Sequence, residues 1–326
     1  MARLHVEHPG PLTLIQDAGR TGVAHLGVSP SGAFDRAAHA RANALVGNDP
    51  GAAALEVLLG GLRLRAEGTV LVAVTGARLA IDVDGLPLAP ERVIAVPHGS
   101  LLTLAPGHAE AAASPRGLRA YLAVAGGLDV PPVLGSRSRD TLGQLGPAPL
   151  TAGDVLPIGR DHAASRGESK RPGGAAPSGA LPSGAMPTGA MPSSATPLGA
   201  VSSGTEGLPT AGTVLEVLPG PRPEEFDPDA LARLTRGAYR VTDRADRVAV
   251  RLEGEAMATA AVDSRGSEGL VAGAIQIPPS GQPVVFGPDH PLTGGYPVLA
   301  VLTDAALGTL AQVTPGERVR FAVVSL

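Results

Sequence analysis

Val70-Leu71-Val72-Ala73-Val74-Thr75-Gly76-Ala77-Arg78-Leu79-Ala80-Ile81-Asp82-Val83-Asp84-Gly85 is the stretch that decides the fold. Val70, Val72 and Val74 recur at every second position, and Leu79, Ile81 and Val83 alternate with Ala80, Asp82 and Asp84. A period of two sends successive side chains to opposite faces of a strand, and Asp84-Gly85 is a hairpin signal.

Outward from this hairpin, further strands are expected at 12–15, 93–96, 101–104 and 119–125. A second series follows at 213–218, 239–242, 248–252, 274–277, 283–286, 298–302 and 319–324. Two helical stretches interrupt them. One begins at Ser31 or Gly32 and runs through about Val46, with Phe34, Ala38, Arg41, Ala42 and Leu45 at helical spacing and Gly47-Asn48 as its stop. The other is short, near 228–236. Many short strands with turn signals between them indicate barrels or sandwiches, hence a mainly β protein with few helices.

Residues 160–212 break away in composition. A pentapeptide of the form Pro-Ser/Thr-Gly-Ala-Leu/Met recurs at 177–181, 182–186 and 187–191, then decays. With almost no bulky side chain to bury, this segment cannot offset its ordering entropy and is expected to be a flexible linker. The expected organisation is a β domain at 1–159, the linker at 160–212 and a second β domain at 213–326.

Composition excludes several classes of chemistry. With 326 residues, 44% of them hydrophobic, the chain can bury two ordinary cores, and a formal charge of -4 without a basic run gives no reason to expect nucleic acid. No segment is long and apolar enough for a membrane span and the N-terminus lacks a signal-peptide core, so a cytoplasmic location is expected. Zero cysteines remove thiolate nucleophiles and Cys-based metal sites. The one lysine, Lys170, lies in the linker, which leaves no lysine for a P-loop, a Schiff base or attached biotin. The eight histidines form no ligand cluster, so no metal is expected, and there is no Gly-x-Ser-x-Gly elbow.

Gly273–Pro297, in contrast, sets Gln276, Gln282, Asp289, Thr293 and Tyr296 among glycines and prolines, a pattern suited to polar recognition. The same punctuation also suits two short strands and their turns.

Several motifs in fixed order carry a family resemblance. Gln16 to Gly22, Gly27 to Asp35, Ala42 to Asn48 and Leu55-Glu56 resemble the opening of the biotin-dependent carboxyltransferase family. That family includes the C subunit of 5-oxoprolinase and the matching part of urea carboxylase. The similarity continues through Thr75-Gly76-Ala77, Tyr121 to Gly127, Gly135 to Ser138 and Gly153-Asp154, and resumes at Gly220-Pro221 and Gly273–Pro297. It implies two cyclophilin-like β-barrel domains with a functional cleft between them. The chain departs from the family at Ala245-Asp246-Arg247-Val248-Ala249, at Arg139 and at Asp289 to Thr293.

The resemblance further implies an ATP-dependent 5-oxoprolinase, in which the lactam is activated and water opens the ring to glutamate, working with partner subunits A and B. Its alternatives are transfer of a carboxyl group from biotin carried on another chain to a urea-like amide, and a non-catalytic regulatory module. A lactam offers one carbonyl acceptor and one N–H donor, so Asn43, Gln276 and Gln282 are candidates to meet the carbonyl and Asp289 the N–H. Thr293 and Tyr296 complete the substrate-binding candidates, Tyr296 being equally suited to a core anchor. Phosphate and oxyanion charge would need arginines, for which Arg20 and Arg137 are the candidates, each equally suited to tying loops together. Glu56 is either a base of raised pKa or a buried partner for an arginine. Asp289 and Glu56 are thus the catalytic candidates.

Overall fold

A computed structural model describes residues 2–106, 117–159, 212–257 and 266–324. The expected linker lies outside the described residues apart from Gly212. Before it come β1 (Arg3–Pro9), β2 (Leu12–Gln16), β3 (Ala54–Leu58), β4 (Leu62–Glu67), β5 (Val70–Gly76), β6 (Ala80–Val83), β7 (Leu86–Leu88), β8 (Ile94–Val96), β9 (Leu101–Ala105), β10 (Arg119–Val124) and β11 (Val155–Pro157). After it come β12 (Thr213–Pro219), β13 (Tyr239–Ala245), β14 (Ala249–Glu253), β15 (Glu268–Gly269), β16 (Ala274–Gln276), β17 (Val284–Phe286), β18 (Thr293–Gly294), β19 (Val298–Leu302) and β20 (Arg318–Val323).

The alternation read from the sequence forms the first core. β11-β1-β4-β9-β6-β7 make one sheet and β2-β3-β10-β5-β8 a second, and Val70, Val72, Val74, Ile81, Leu102 and Leu104 meet between them. The Asp84-Gly85 hairpin forms as expected, with φ +53 at Asp84 and +80 at Gly85 joining β6 to β7. In the second half, β12-β19-β16-β17-β14-β13-β20 close into a barrel, with β12 and β20 paired in parallel. A closed barrel leaves no unpaired strand edge.

Three α-helices occur among the described residues: α1 (Arg36–Leu45), α2 (Ala230–Arg236) and α3 (Asp304–Leu310). α1 starts later than the spacing suggests. Ser31 has φ +52, outside the helical region, and the cap is Asp35, whose side chain accepts from the Ala38 N–H. α3 is not among the expected helices, because about two turns after a strand show little periodicity; its mark is Thr303, whose hydroxyl accepts from Ala306 N–H.

Phe34 and Gln312 help to tie the halves together. Phe34, from the segment before α1, is 1% exposed and belongs to the second core beside Leu307 and Leu310. Gln312, just after α3, reaches back to β10: its Oε1 accepts from Leu118 N–H and Arg119 N–H, and its Nε2 donates to Arg119 O and to Asp35.

Candidate functional site

One face of the sheet β2-β3-β10 is turned away from the first core. Register aligns Leu12 with Leu58, Leu14 with Glu56, and Arg119 with Leu58, while Tyr121 lies opposite Glu56. The period of two therefore gathers Leu12, Leu14, Glu56, Leu58, Arg119 and Tyr121 on that face, while Leu55, Val57 and Leu122 point into the core. The turn between β13 and β14 approaches the same face. Asp246 shapes this turn by accepting from the Val248 and Ala249 N–H groups, which carries Arg247 inward.

Between sheet and turn lies a cavity of about 470 Å³. Leu12, Leu14, Leu58, Leu59, Leu118, Leu142, Val248 and Pro315 make it mostly apolar, and Glu56, Arg119, Thr141 and Arg247 are its buried or half-buried polar groups. Leu59 stands at its mouth, 47% exposed and at φ +58, a backbone region that a bulky residue enters at a cost of about 1 kcal/mol or more.

Arg247 is the hub of the polar end. Its Nη1 donates to Glu56 Oε1 at 2.7 Å, its Nε to Asp289 Oδ2 at 2.9 Å, and its Nη2 to Asp289 Oδ1 at 3.0 Å and Gly32 O at 2.6 Å. Asp289 also accepts from the Thr141 N–H and hydroxyl. The remaining oxygen of Glu56 accepts from Phe34 N–H at 3.1 Å and Tyr121 O–H at 2.9 Å. Two carboxylates from different halves thus share one fully enclosed guanidinium.

Charge follows from this geometry. Burial alone would raise both carboxyls, but for Glu56 the charges of Arg247 and Arg119 outweigh it, and for Asp289 the charge and hydrogen bonds of Arg247 do; both are held below the ordinary range. Of the two roles open to Glu56, the structure gives it that of arginine partner. Tyr121 is pushed well up, first by burial and then by the Glu56 charge, so its phenol stays a donor.

The other sequence candidates lie in separate networks. Asn43, on the buried face of α1, donates to Ala52 O and accepts from Asn48. Gln276 donates to Tyr296 O at 2.5 Å, while Thr293 pairs with Gly269 in the small β15-β18 ribbon. Gln282 closes a two-way bond with the backbone of Gly254. Arg20 donates to Val133 O and Ser138 O, and the Arg137 guanidinium to Val130 O. Asp17 accepts from Ser136, Ser138 and the Arg137 N–H.

Of the nine candidates, only Glu56 lines the cavity, and Asp289 stands one residue behind it. The residues that sequence reasoning passed over are Arg247, Arg119 and Thr141. Arg119 carried a readable signal: it is a charge at the head of the apolar run Arg119 to Val124, all six of which are buried. Arg247 sits in the turn between β13 and β14, where a charge gives no local sign of burial.

The described residues contain no group of three or more His, Cys, Asp or Glu able to hold a metal, and no helix among them is long and apolar enough to cross a membrane.

Comparison with known proteins agrees with this architecture. Residues 26–323 match the family described as carboxyltransferase domain, subdomain A and B. The chain is 34% identical to the C subunit of 5-oxoprolinase from Escherichia coli over 99% of its own length and 92% of that relative. A crystal structure of TTHA0988 is 34% identical with a TM-score of 0.75; the match covers 99% of this chain and 56% of that protein. The crystal structure of Kluyveromyces lactis urea amidolyase is 27% identical with a TM-score of 0.76, and the chain covers 19% of it. Family match, near-complete overlap with a similar relative and the shared fold agree: the chain belongs to the carboxyltransferase family, subdomains A and B.

Proposed function

We propose that this chain is the C subunit of an ATP-dependent 5-oxoprolinase, acting with A-like and B-like partners to open 5-oxoproline to glutamate. The observation that carries the reading is the 34% identity to a protein of that name across 92% of its length. The urea amidolyase similarity, by comparison, extends over 19% of a much longer protein.

The cavity suits a small ring. Its leucines can take the methylenes of a lactam, and the Glu56–Arg247–Asp289–Thr141 array supplies fixed donors and acceptors at one end. Neither carboxylate is set up as a proton acceptor at neutral pH, because both are held low by Arg247. In this reading they hold Arg247 in place, and the chain contributes a binding and orienting wall. The arginines considered for phosphate, Arg20 and Arg137, are engaged by backbone carbonyls, so we assign ATP to a partner chain. Asn43, Gln276, Gln282, Thr293 and Tyr296 are then structural, each in a network apart from the cavity.

Reconstitution tests this. The chain with its A-like and B-like partners should form glutamate only when both ATP and 5-oxoproline are supplied, and the chain alone should form none. Carboxyl transfer from carboxybiotin to urea, without 5-oxoproline turnover, would establish the carboxyltransferase alternative instead.

A further inference from the structure

Arg119 is the cation of the cavity whose hydrogen-bonding capacity is least used. Arg247 has all three nitrogens engaged. Arg119 uses Nη1 for Ala311 O at 2.6 Å, and its Nε stops 3.6 Å from Glu56 Oε1, beyond hydrogen-bond reach. Its Nη2 makes no hydrogen bond among the described residues. Glu56 is fixed at this distance by its bonds to Arg247, Phe34 and Tyr121.

The group is also held ready. Gln312 grips both backbone polar atoms of Arg119, and the guanidinium carbon lies 4.7 Å from the centroid of the Phe34 ring. Its side chain is 6% exposed, and that small exposed surface belongs to the leucine-walled cavity. A charge-assisted hydrogen bond made there meets little competing water. Asp246, at the rim, is occupied in capping its own turn.

We propose that Arg119 is the specificity-determining residue that reads the carboxylate of the ring substrate, so that the cavity selects a lactam acid over a neutral lactam or a urea. This rests on the reading of the chain as part of a lactam-opening enzyme. A neutral amide would leave the Arg119 Nη2 without a hydrogen-bond acceptor; a carboxylate completes it.

The experiment compares 5-oxoproline with its uncharged primary amide, 5-oxoprolinamide, as ligands and competing substrates of the reconstituted complex. Calorimetric Kd and kcat/KM are measured for wild type, Arg119→Met and Arg119→Lys. The acid should be favoured over the amide by about 10- to 100-fold in wild type, the range expected for a hydrogen bond to a charged group. Arg119→Met should bring the ratio to within about threefold by weakening the acid alone. Melting curves report whether that variant folds. If it does not, Arg119→Lys, which keeps the cation, decides: weaker acid binding with unchanged amide binding supports the proposal, and unchanged binding of both overturns it. Equal affinity of wild type for acid and amide, or a surviving preference in Arg119→Met, also overturns it while leaving the lactam reading intact. Absence of binding and turnover for both ligands overturns the lactam reading itself, and this proposal with it.

Discussion

Gln312 clasps Arg119 from both sides: its amide oxygen accepts the Arg119 N–H at 3.0 Å while its amide nitrogen donates to the Arg119 carbonyl at 3.0 Å. One side chain from the second half thereby completes the N-terminal end of strand β10 in the first. The same amide also takes the Leu118 N–H and donates to Asp35, the residue that caps α1.

Gln312→Ala should cost about 2–4 kcal/mol, because several enclosed groups lose partners at once. Urea titration should show the midpoint falling with an unchanged slope. Gln312→Glu, which keeps the acceptor and places a charge beside Asp35, should not recover the loss.

Arg247→Met should be among the most damaging single changes, about 3–5 kcal/mol, since it strands Asp289 without a counter-charge and leaves Glu56 only the more distant Arg119. Thermal melts at neutral pH check this. Glu56→Gln should cost less, because Arg247 keeps Asp289.

Acid should loosen the same array. Glu56 and Asp289 have folded-state pKa values below their unfolded ones, so their stabilisation is complete above the ordinary carboxyl range and is lost as pH falls through the folded values. Stability measured by urea should hold between about pH 5 and 7 and decline on acidification below about pH 4.5. A Glu56→Gln variant should decline less steeply, since one of the two protonations has been removed.

Gly294→Ala should disturb the Thr293-Gly294-Gly295-Tyr296 segment. An added Cβ would stand 2.5 Å from Gln276 Nε2, which would push that amide off the Tyr296 carbonyl. Overpacking of this kind costs about 1–3 kcal/mol, visible as a lowered melting temperature. Gly295→Ala meets nothing within 4 Å and should change stability little.

Leu59→Gly tests the strained lip of the cavity. Release of the φ +58 strain roughly offsets the added chain entropy, so stability should stay within about 1 kcal/mol of wild type. Activity of the reconstituted complex should fall, through a higher KM, if the lip encloses the substrate.

The β architecture was legible because its signal is local. Val70, Val72 and Val74 alternate, and Asp84-Gly85 can turn where most residues cannot, so the hairpin follows from neighbours in the chain. Strand β3 was harder to see. Its Ala54-Leu55-Glu56-Val57-Leu58 places one carboxylate within four apolar residues, and its meaning depends on Arg247, 191 positions later. The site hub was hidden for the same reason. A glutamine among glycines looks like a recognition motif, but the Gln276 amide donates to the Tyr296 backbone carbonyl. An arginine in a turn looks like a solvated charge until the opposite sheet is known. What the sequence could not supply was the pairing of distant groups.

Phe34 shows how far the two halves depend on each other. It departs the first half to fill the second, and Gly287 leaves room for its ring: a Cβ there would stand 3.1 Å from the Phe34 Cζ. Cutting the chain within 160–211 would therefore yield pieces with complementary defects. One would display a bare aromatic, and the other would hold a hollow and an Arg247 left with Asp289 but without Glu56. Co-expressed, such pieces should seek each other out and restore a single folding unit, with Phe34 as the key and the barrel end as its lock.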